Sequence, residues 1–188
     1  MIGILGGVFD PPQAGHVALA RAALERLPID RLIVLVAATP GHRTVVADAD
    51  TRLRLARLAF EGIADEIDLD PHAFTVDAVR GGRFGDAIFV VGADEGAAFP
   101  TWKDPEEVLR WVRLAVGTRS GYPPADLEQY GDRVLAFQLP SPAVSSTEVR
   151  DRLARGEPVD GLVPDAVAAA LDETGLYRGY TDREPERT

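Results

Sequence analysis

His16 closes the stretch Gly6-Gly7-Val8-Phe9-Asp10-Pro11-Pro12-Gln13-Ala14-Gly15-His16, which lies between a short apolar run and a helical pattern. Paired glycines let a backbone approach a ligand closely and expose N–H groups to it. The positive end of the following helix points at the same place. An imidazole in the first helical turn donates to a phosphate oxygen, and the Gln13 amide adds a second donor. The chemistry these residues favour is the binding of a phosphorylated anion. The stretch is neither a P-loop, since no Gly-Lys-Ser/Thr follows, nor a dinucleotide G-x-G-x-x-G turn.

A second constellation stands near the other end, Val144-Ser145-Ser146-Thr147-Glu148-Val149-Arg150. Ser145 and Glu148 have capping-box spacing, so this is also a helix start. Hydroxyls and first-turn N–H groups grip phosphate, and Arg150, about one turn in, adds a permanent charge. Each stretch alone reads equally well as a plain turn or a capped surface helix. Together they describe two helix beginnings suited to one polyanion. His72 with Asp68 and Asp70 is too weakly spaced for a metal cluster and reads as a solvated loop. Arg52, Arg54 and Arg57 read as the wet side of a helix.

The elements that must carry these residues alternate. Apolar runs at Ile2 to Leu5, Leu32 to Val36, Ile67 to Leu69, Ile88 to Val91, Leu114 to Val116 and Val134 to Phe137 read as strands. Helical patterns fall at Gly15 to Leu27 and Thr51 to Ile63. A short helix is expected to be capped by Thr75. Asp104-Pro105-Glu106-Glu107 reads as a cap, a first-position proline and acids in the first turn. Pro164 starts a last helix that Gly175 ends. Continuous apolar strands alternating with helices predict an α/β fold, a Rossmann-like doubly wound parallel sheet with helices on both faces and a small helical C-terminal part. In such sheets ligands sit outside the carboxyl ends of the strands. The expected organisation is one domain over 1–180 and a frayed tail over 181–188.

The chain has 188 residues, enough for a core without covalent staples. It has no cysteine, which removes disulfides, thiolate zinc sites and a cysteine nucleophile together. The formal charge of −10 argues against general nucleic-acid binding, because phosphate neutralisation needs a basic face. No apolar run reaches membrane-spanning length, and no basic-flanked signal core is present, so a cytoplasmic location is expected. The sequence leaves the oligomeric state open, a homo-oligomer included.

The first stretch resembles the signature G-G-x-F-D-P-x-H-x-G-H of the nucleotidylyltransferase superfamily, and the second its I-S-S-T-x-I-R motif. Further stretches resemble the bacterial nicotinate-mononucleotide adenylyltransferases, over most of the chain from Ile2 to about Tyr177. These are Pro40-Gly41-His42-Arg43, Phe74-Thr75-Val76-Asp77, Val91-Gly92-Ala93-Asp94, Thr101-Trp102, Gly117-Thr118-Arg119-Ser120-Gly121-Tyr122 and Gly175-Leu176-Tyr177. The resemblance implies transfer of AMP from ATP, with Mg²⁺, to a mononucleotide. His16, Gln13 and Arg150 would be the catalytic residues. ATP would be held by Gly6, Gly7, Val8, Phe9, Gly15, His16, Gly92, Asp94, Ser145, Ser146, Thr147 and Arg150. The acceptor would meet Asp10, His42, Arg43, Thr75, Trp102 and Arg119. Three positions depart from the pattern. Gln13 stands where the family has His or, in some members, Thr, and cannot carry charge. Gly41 and Arg43 replace a Pro and a Lys, which leaves nicotinamide mononucleotide or phosphopantetheine as alternative acceptors. Gln13 also leaves open a nucleotide-binding sensor with little turnover.

Overall fold

The computed structural model describes residues 1–41, 44–118, 127–139 and 144–180. His42, Arg43, Arg119, the Ser120-Gly121-Tyr122 match and the expected tail lie outside the described residues. Six strands form one sheet in the order β3-β2-β1-β4-β5-β6. They are β1 (Ile2–Gly7), β2 (Arg31–Ala37), β3 (Glu66–Asp70), β4 (Ala87–Gly92), β5 (Val112–Thr118) and β6 (Val134–Gln138). Every pairing is parallel. The helices are α1 (Ala14–Arg26), α2 (Ala49–Ala59), α3 (Thr75–Val79), α4 (Ala93–Ala98), α5 (Pro105–Trp111), α6 (Ser146–Ala154) and α7 (Asp165–Thr174).

The apolar strands are buried on both faces because successive side chains point to opposite sides. Leu32, Val34 and Val36 of β2 join Ile88 and Val90 of β4 in a core covered by α1, α2, α6 and α7. Ile33, Leu35, Phe89 and Val91 enter a second core with Val76 and Val79 of α3 and Val108 and Leu109 of α5. Strand order reverses between β1 and β4, where Leu5 pairs with Val90. That reversal opens a crevice at the carboxyl ends of both strands. The loop after Gly7 and the turn after Gly92 therefore face one place.

Helix ends follow the sequence with four exceptions, one being that α2 stops at Ala59, short of the expected Ile63. Asp48, not Thr51, begins α2: its carboxylate accepts the Thr51 N–H at 2.8 Å. Thr75 is the first residue of α3 rather than its cap; Phe74 holds the cap position without a side-chain bond. Asp104 precedes Pro105 as expected, but its backbone is left-handed (φ 49°) and its side chain makes no cap bond. Gly175, at φ 64°, ends α7 as expected. Among the described residues no helix is long and apolar enough to cross a membrane.

Gly96, in α4, packs directly on β5: a Cβ there would lie 2.5 Å from Val116 Cγ1. Alanine in a helix normally gains about 1 kcal/mol over glycine, but overpacking against a branched core residue costs about 1–3 kcal/mol. Gly96→Ala is therefore expected to lower stability, read as a reduced denaturation midpoint in urea.

Candidate active site

The loop from Val8 to Gln13 leaves the sheet at the reversal point, and four other segments hold it. Phe9 adopts φ 53° and buries its ring edge-on against Phe60 and His16, with centroids 5.4 and 5.0 Å away. The Asp10–Pro11 peptide is cis. Gly6 and Gly7 are glycine for a packing reason: a Cβ would come 2.6 Å from Phe89 Cζ at Gly6 and 2.7 Å from Phe9 Cζ at Gly7.

Arg52 is the main strut. It is 1% exposed, which corrects its expected place on the wet side of α2; Arg54 and Arg57 are exposed as read. Its guanidinium donates to the carbonyls of Val8 (2.9 Å), Ala37 (2.6 Å), Ala38 (3.1 Å) and Ala47 (3.1 Å). It thereby ties the first loop to the end of β2 and to the start of α2. Burial pulls its pKa down, and the charge of Asp10 opposes that shift. The clue was in the spacing: Arg52, Leu55, Ala56 and Ala59 fall on one helical stripe, and all four are buried. Residue type pointed outward and periodicity pointed inward.

Asp10 is also buried, at 4% exposure, and the acceptor role implied for it does not fit its geometry. Its carboxylate accepts the N–H of Val46 (2.7 Å), the N–H of Ala47 (3.1 Å) and the hydroxyl of Tyr177 (2.6 Å). A buried carboxylate held by three protein donors is a structural hub.

The α1 terminus also differs from the simple anion site expected of it. Gln13 is its N-cap, and its Oε1 accepts the N–H of Gly15 and of His16. Its backbone N–H donates to His16 Nδ1 at 3.1 Å, completing a capping box. The Ala14 N–H donates to the Leu162 carbonyl at 2.8 Å, and Val17 N–H to the Gln13 carbonyl at 3.4 Å. The first-turn N–H groups thus have protein acceptors. What α1 can offer an anion is its dipole, the NH2 group of Gln13 and the His16 ring. With Nδ1 acting as acceptor, the ring hydrogen sits on Nε2, a donor suited to a phosphate oxygen. Gly15 has no side chain because a Cβ would stand 2.6 Å from Gln13 Oε1.

The second motif meets the first loop directly. Ser145 caps α6 by accepting the Glu148 N–H at 3.1 Å. Ser146 Oγ donates to the Pro11 carbonyl at 2.8 Å, and Arg150 Nη1 to the Asp10 carbonyl at 2.8 Å. Arg150 Nη2 also donates to Thr147 Oγ1 at 3.2 Å. Two helix starts far apart in sequence therefore share one loop. Gly92 and the exposed Asp94 stand at the end of β4, on the other side of the reversal point; a Cβ at Gly92 would meet open space.

Of the residues expected at the acceptor, Thr75 follows β3 and Trp102 follows β4. Trp102 packs edge-on against Phe99 (5.2 Å) and Phe89 (6.1 Å), so much of its ring belongs to the second core. Thr75 opens α3. Lys103 Nζ bonds Asp77 at 2.9 Å and stands 4.7 Å from the Phe74 ring centre, joining these loops. Phe74 is 40% exposed and lies against the loop after β2, 3.6 Å from a Cβ built on Gly41. A groove lined by Ile2, Arg31, Ile33, Glu66 and Phe84, about 670 Å³, contains no residue of either motif. Asp68 and Asp70 stand in β3 rather than on the solvated loop expected of them; Asp70 is buried, its carboxylate pairs with His72 Nδ1 at 2.6 Å, and its carbonyl accepts the Ala38 N–H at 2.8 Å.

A sheet reversed between β1 and β4, with two phosphate-suited helix starts on one loop, is the architecture of a nucleotide-binding α/β protein. A family model described as cytidylyltransferase-like matches residues 4–152, and the chain belongs to that family. A probable nicotinate-nucleotide adenylyltransferase of Gemmatimonas aurantiaca is 37% identical, over 95% of this chain and 93% of the relative. One from Thermus thermophilus is 36% identical, over 94% and 99%. In three dimensions the chain is similar to the nicotinic acid mononucleotide adenylyltransferase of Plasmodium falciparum. In its complex with NaAD that enzyme gives a TM-score of 0.72 at 16% identity, covering 94% of this chain and 96% of the other. At that identity the likeness is one of fold.

Two stability tests follow from this geometry. Arg52→Leu leaves four carbonyls without their common donor, at about 1–3 kcal/mol for each that stays unsatisfied. With partial relaxation the expected loss is about 3–5 kcal/mol by chemical denaturation. Gln13→Ala removes the α1 cap and is expected to cost about 1 kcal/mol in the same measurement.

Proposed function

We propose that the protein transfers the AMP unit of ATP to nicotinate mononucleotide, releasing pyrophosphate and forming nicotinate adenine dinucleotide, a step of NAD biosynthesis. The observation that carries this reading is the joining of the second motif to the first loop, through Ser146 and Pro11 and through Arg150 and Asp10. The relatives' activity, at 36–37% identity over nearly the whole chain, supports the choice of donor and acceptor.

In this reading an oxygen of the acceptor's 5′-phosphate attacks the α-phosphorus of ATP in line. The new P–O bond forms as the bond to the β-phosphate oxygen breaks, and pyrophosphate carries away the electron pair. No side chain need act as nucleophile; positioning and charge stabilisation do the work. Mg²⁺ enters with ATP as part of the substrate, balancing charge on the phosphates.

His16 Nε2–H, Arg150 and the hydroxyl-bearing start of α6 face the developing negative charge. The Gln13 amide contributes a neutral donor, about half the strength of a charged one. The backbone of Gly6 to Phe9, Gly15 and the Gly92–Asp94 turn would line the nucleotide. Thr75 and Trp102 would hold the pyridine ring, and His42, Arg43 and Arg119 would meet the acceptor's phosphate. Asp10 is left out of that set.

The test is pyrophosphate release from ATP and Mg²⁺ with nicotinate mononucleotide, nicotinamide mononucleotide and phosphopantetheine in parallel. Release is expected with the first acceptor and is expected to fall about 100-fold or more in His16→Ala, as for loss of a positioned donor. Release with another acceptor alone would reassign the substrate. No release above the His16→Ala background with any of them would reject the reading.

A further inference from the structure

Tyr177 stands at the far end of the described chain from the first loop, yet its hydroxyl donates to Asp10 Oδ1 at 2.6 Å. Both side chains are buried. The turn that delivers it runs against backbone preference: Tyr177 has φ 68°, in the left-handed region that non-glycine residues seldom adopt. A bond formed against that preference must restrain something. Burial and the neighbouring carboxylate push the phenol's pKa up, so the hydroxyl keeps its proton and remains a donor.

What it restrains is the hub of the loop. The Asp10 carboxylate also takes the N–H groups of Val46 and Ala47. The Asp10 carbonyl accepts from Arg150 Nη1 at 2.8 Å. One residue therefore receives the C-terminal turn on its side chain and holds Arg150 on its backbone.

We propose that Tyr177 is a positioning residue for the triphosphate: through Asp10 it fixes where Arg150 stands, so the C-terminal turn completes the phosphate site without touching nucleotide. The proposal rests on the adenylyl-transfer reading, which places Arg150 at the phosphates. Removing the hydroxyl leaves Asp10 with backbone donors only. The Asp10 carbonyl then shifts with the loop, and Arg150 shifts with it. The ring's packing survives as phenylalanine.

The experiment is a double-mutant cycle on the full chain: native protein, Tyr177→Phe, Arg150→Ala and the double variant. Each is assayed for pyrophosphate release with ATP and nicotinate mononucleotide varied separately, and each is titrated with Mg·ATP by calorimetry. Tyr177→Phe is expected to raise the ATP KM and Kd about tenfold, the size of one lost buried hydrogen bond, with the mononucleotide KM within about twofold of native. In the Arg150→Ala background the same substitution is expected to change ATP binding by less than about twofold.

An unchanged ATP KM, an equal rise in both substrates' KM, or the same effect in both backgrounds would overturn the proposal, since general loosening gives additive and unselective losses. Should Tyr177→Phe fail to fold, Asp10→Asn loosens the same hub, because its single amide oxygen cannot serve both the Val46 N–H and the Tyr177 side, and is expected to show the same selective ATP effect and the same loss of additivity. If the native protein releases no pyrophosphate, the adenylyl-transfer reading falls. The calorimetric cycle still decides the coupling.

Discussion

Two buried charges, the Arg52 guanidinium and the Asp10 carboxylate, hold the first loop in place. Removing either from water costs several kcal/mol unless it is ligated and opposed. Arg52 is ligated by four carbonyls, and Asp10 by two N–H groups and a phenol. Each also lies in the other's field. The need is topological. A loop at the reversal point of a doubly wound sheet must present polar groups to a ligand, so it cannot satisfy them within itself. Its rigidity has to come from outside. Here α2, the Val46–Ala47 segment, α6 and the C-terminal turn supply it.

This arrangement changes the division of labour between the two helix starts. α1 is closed by its own capping box, with Gln13 Oε1 on the N–H groups of Gly15 and His16. What it would bring to an anion is the dipole, the NH2 group of Gln13 and the His16 ring, oriented because Nδ1 accepts from the Gln13 backbone. α6 keeps hydroxyls and a guanidinium at its start and fastens itself to the loop by two of them. In the proposed reaction the second motif would therefore carry more of the charge stabilisation than its distance in sequence from the glycines implies.

The strands and most helices were legible because burial on both faces writes itself as short continuous apolar runs, and because Pro105 and Gly175 mark ends by backbone chemistry alone. The convergence of the two motifs was legible only through their pairing in one chain. Arg52 was not read correctly because residue type was weighed above its place on the Leu55–Ala56–Ala59 stripe. Asp10 and Tyr177 were beyond reach from residue types and spacing. A contact across 167 positions leaves no local period, and an aspartate beside a proline looks the same whether its carboxylate faces a ligand or a phenol. Gln13 was seen as a substitution in a motif. Its oxygen's role as a cap needed coordinates.

The chain's net charge of −10 opposes the tetra-anionic substrate of the proposed reaction only at a range where it is screened. Surface carboxylates beyond about 8 Å are largely screened at physiological ionic strength. Among the described residues the sources nearest the first loop are Arg150, the two helix dipoles and Arg52. The last touches carbonyl dipoles, which ligate a cation without cancelling its unit charge. Asp10 offsets that charge, yet its own is drawn toward Tyr177 and two backbone N–H groups. A buried pair ligated in this manner is more than a strut: it sets the local potential under the loop through groups that the solvent's ions cannot reach.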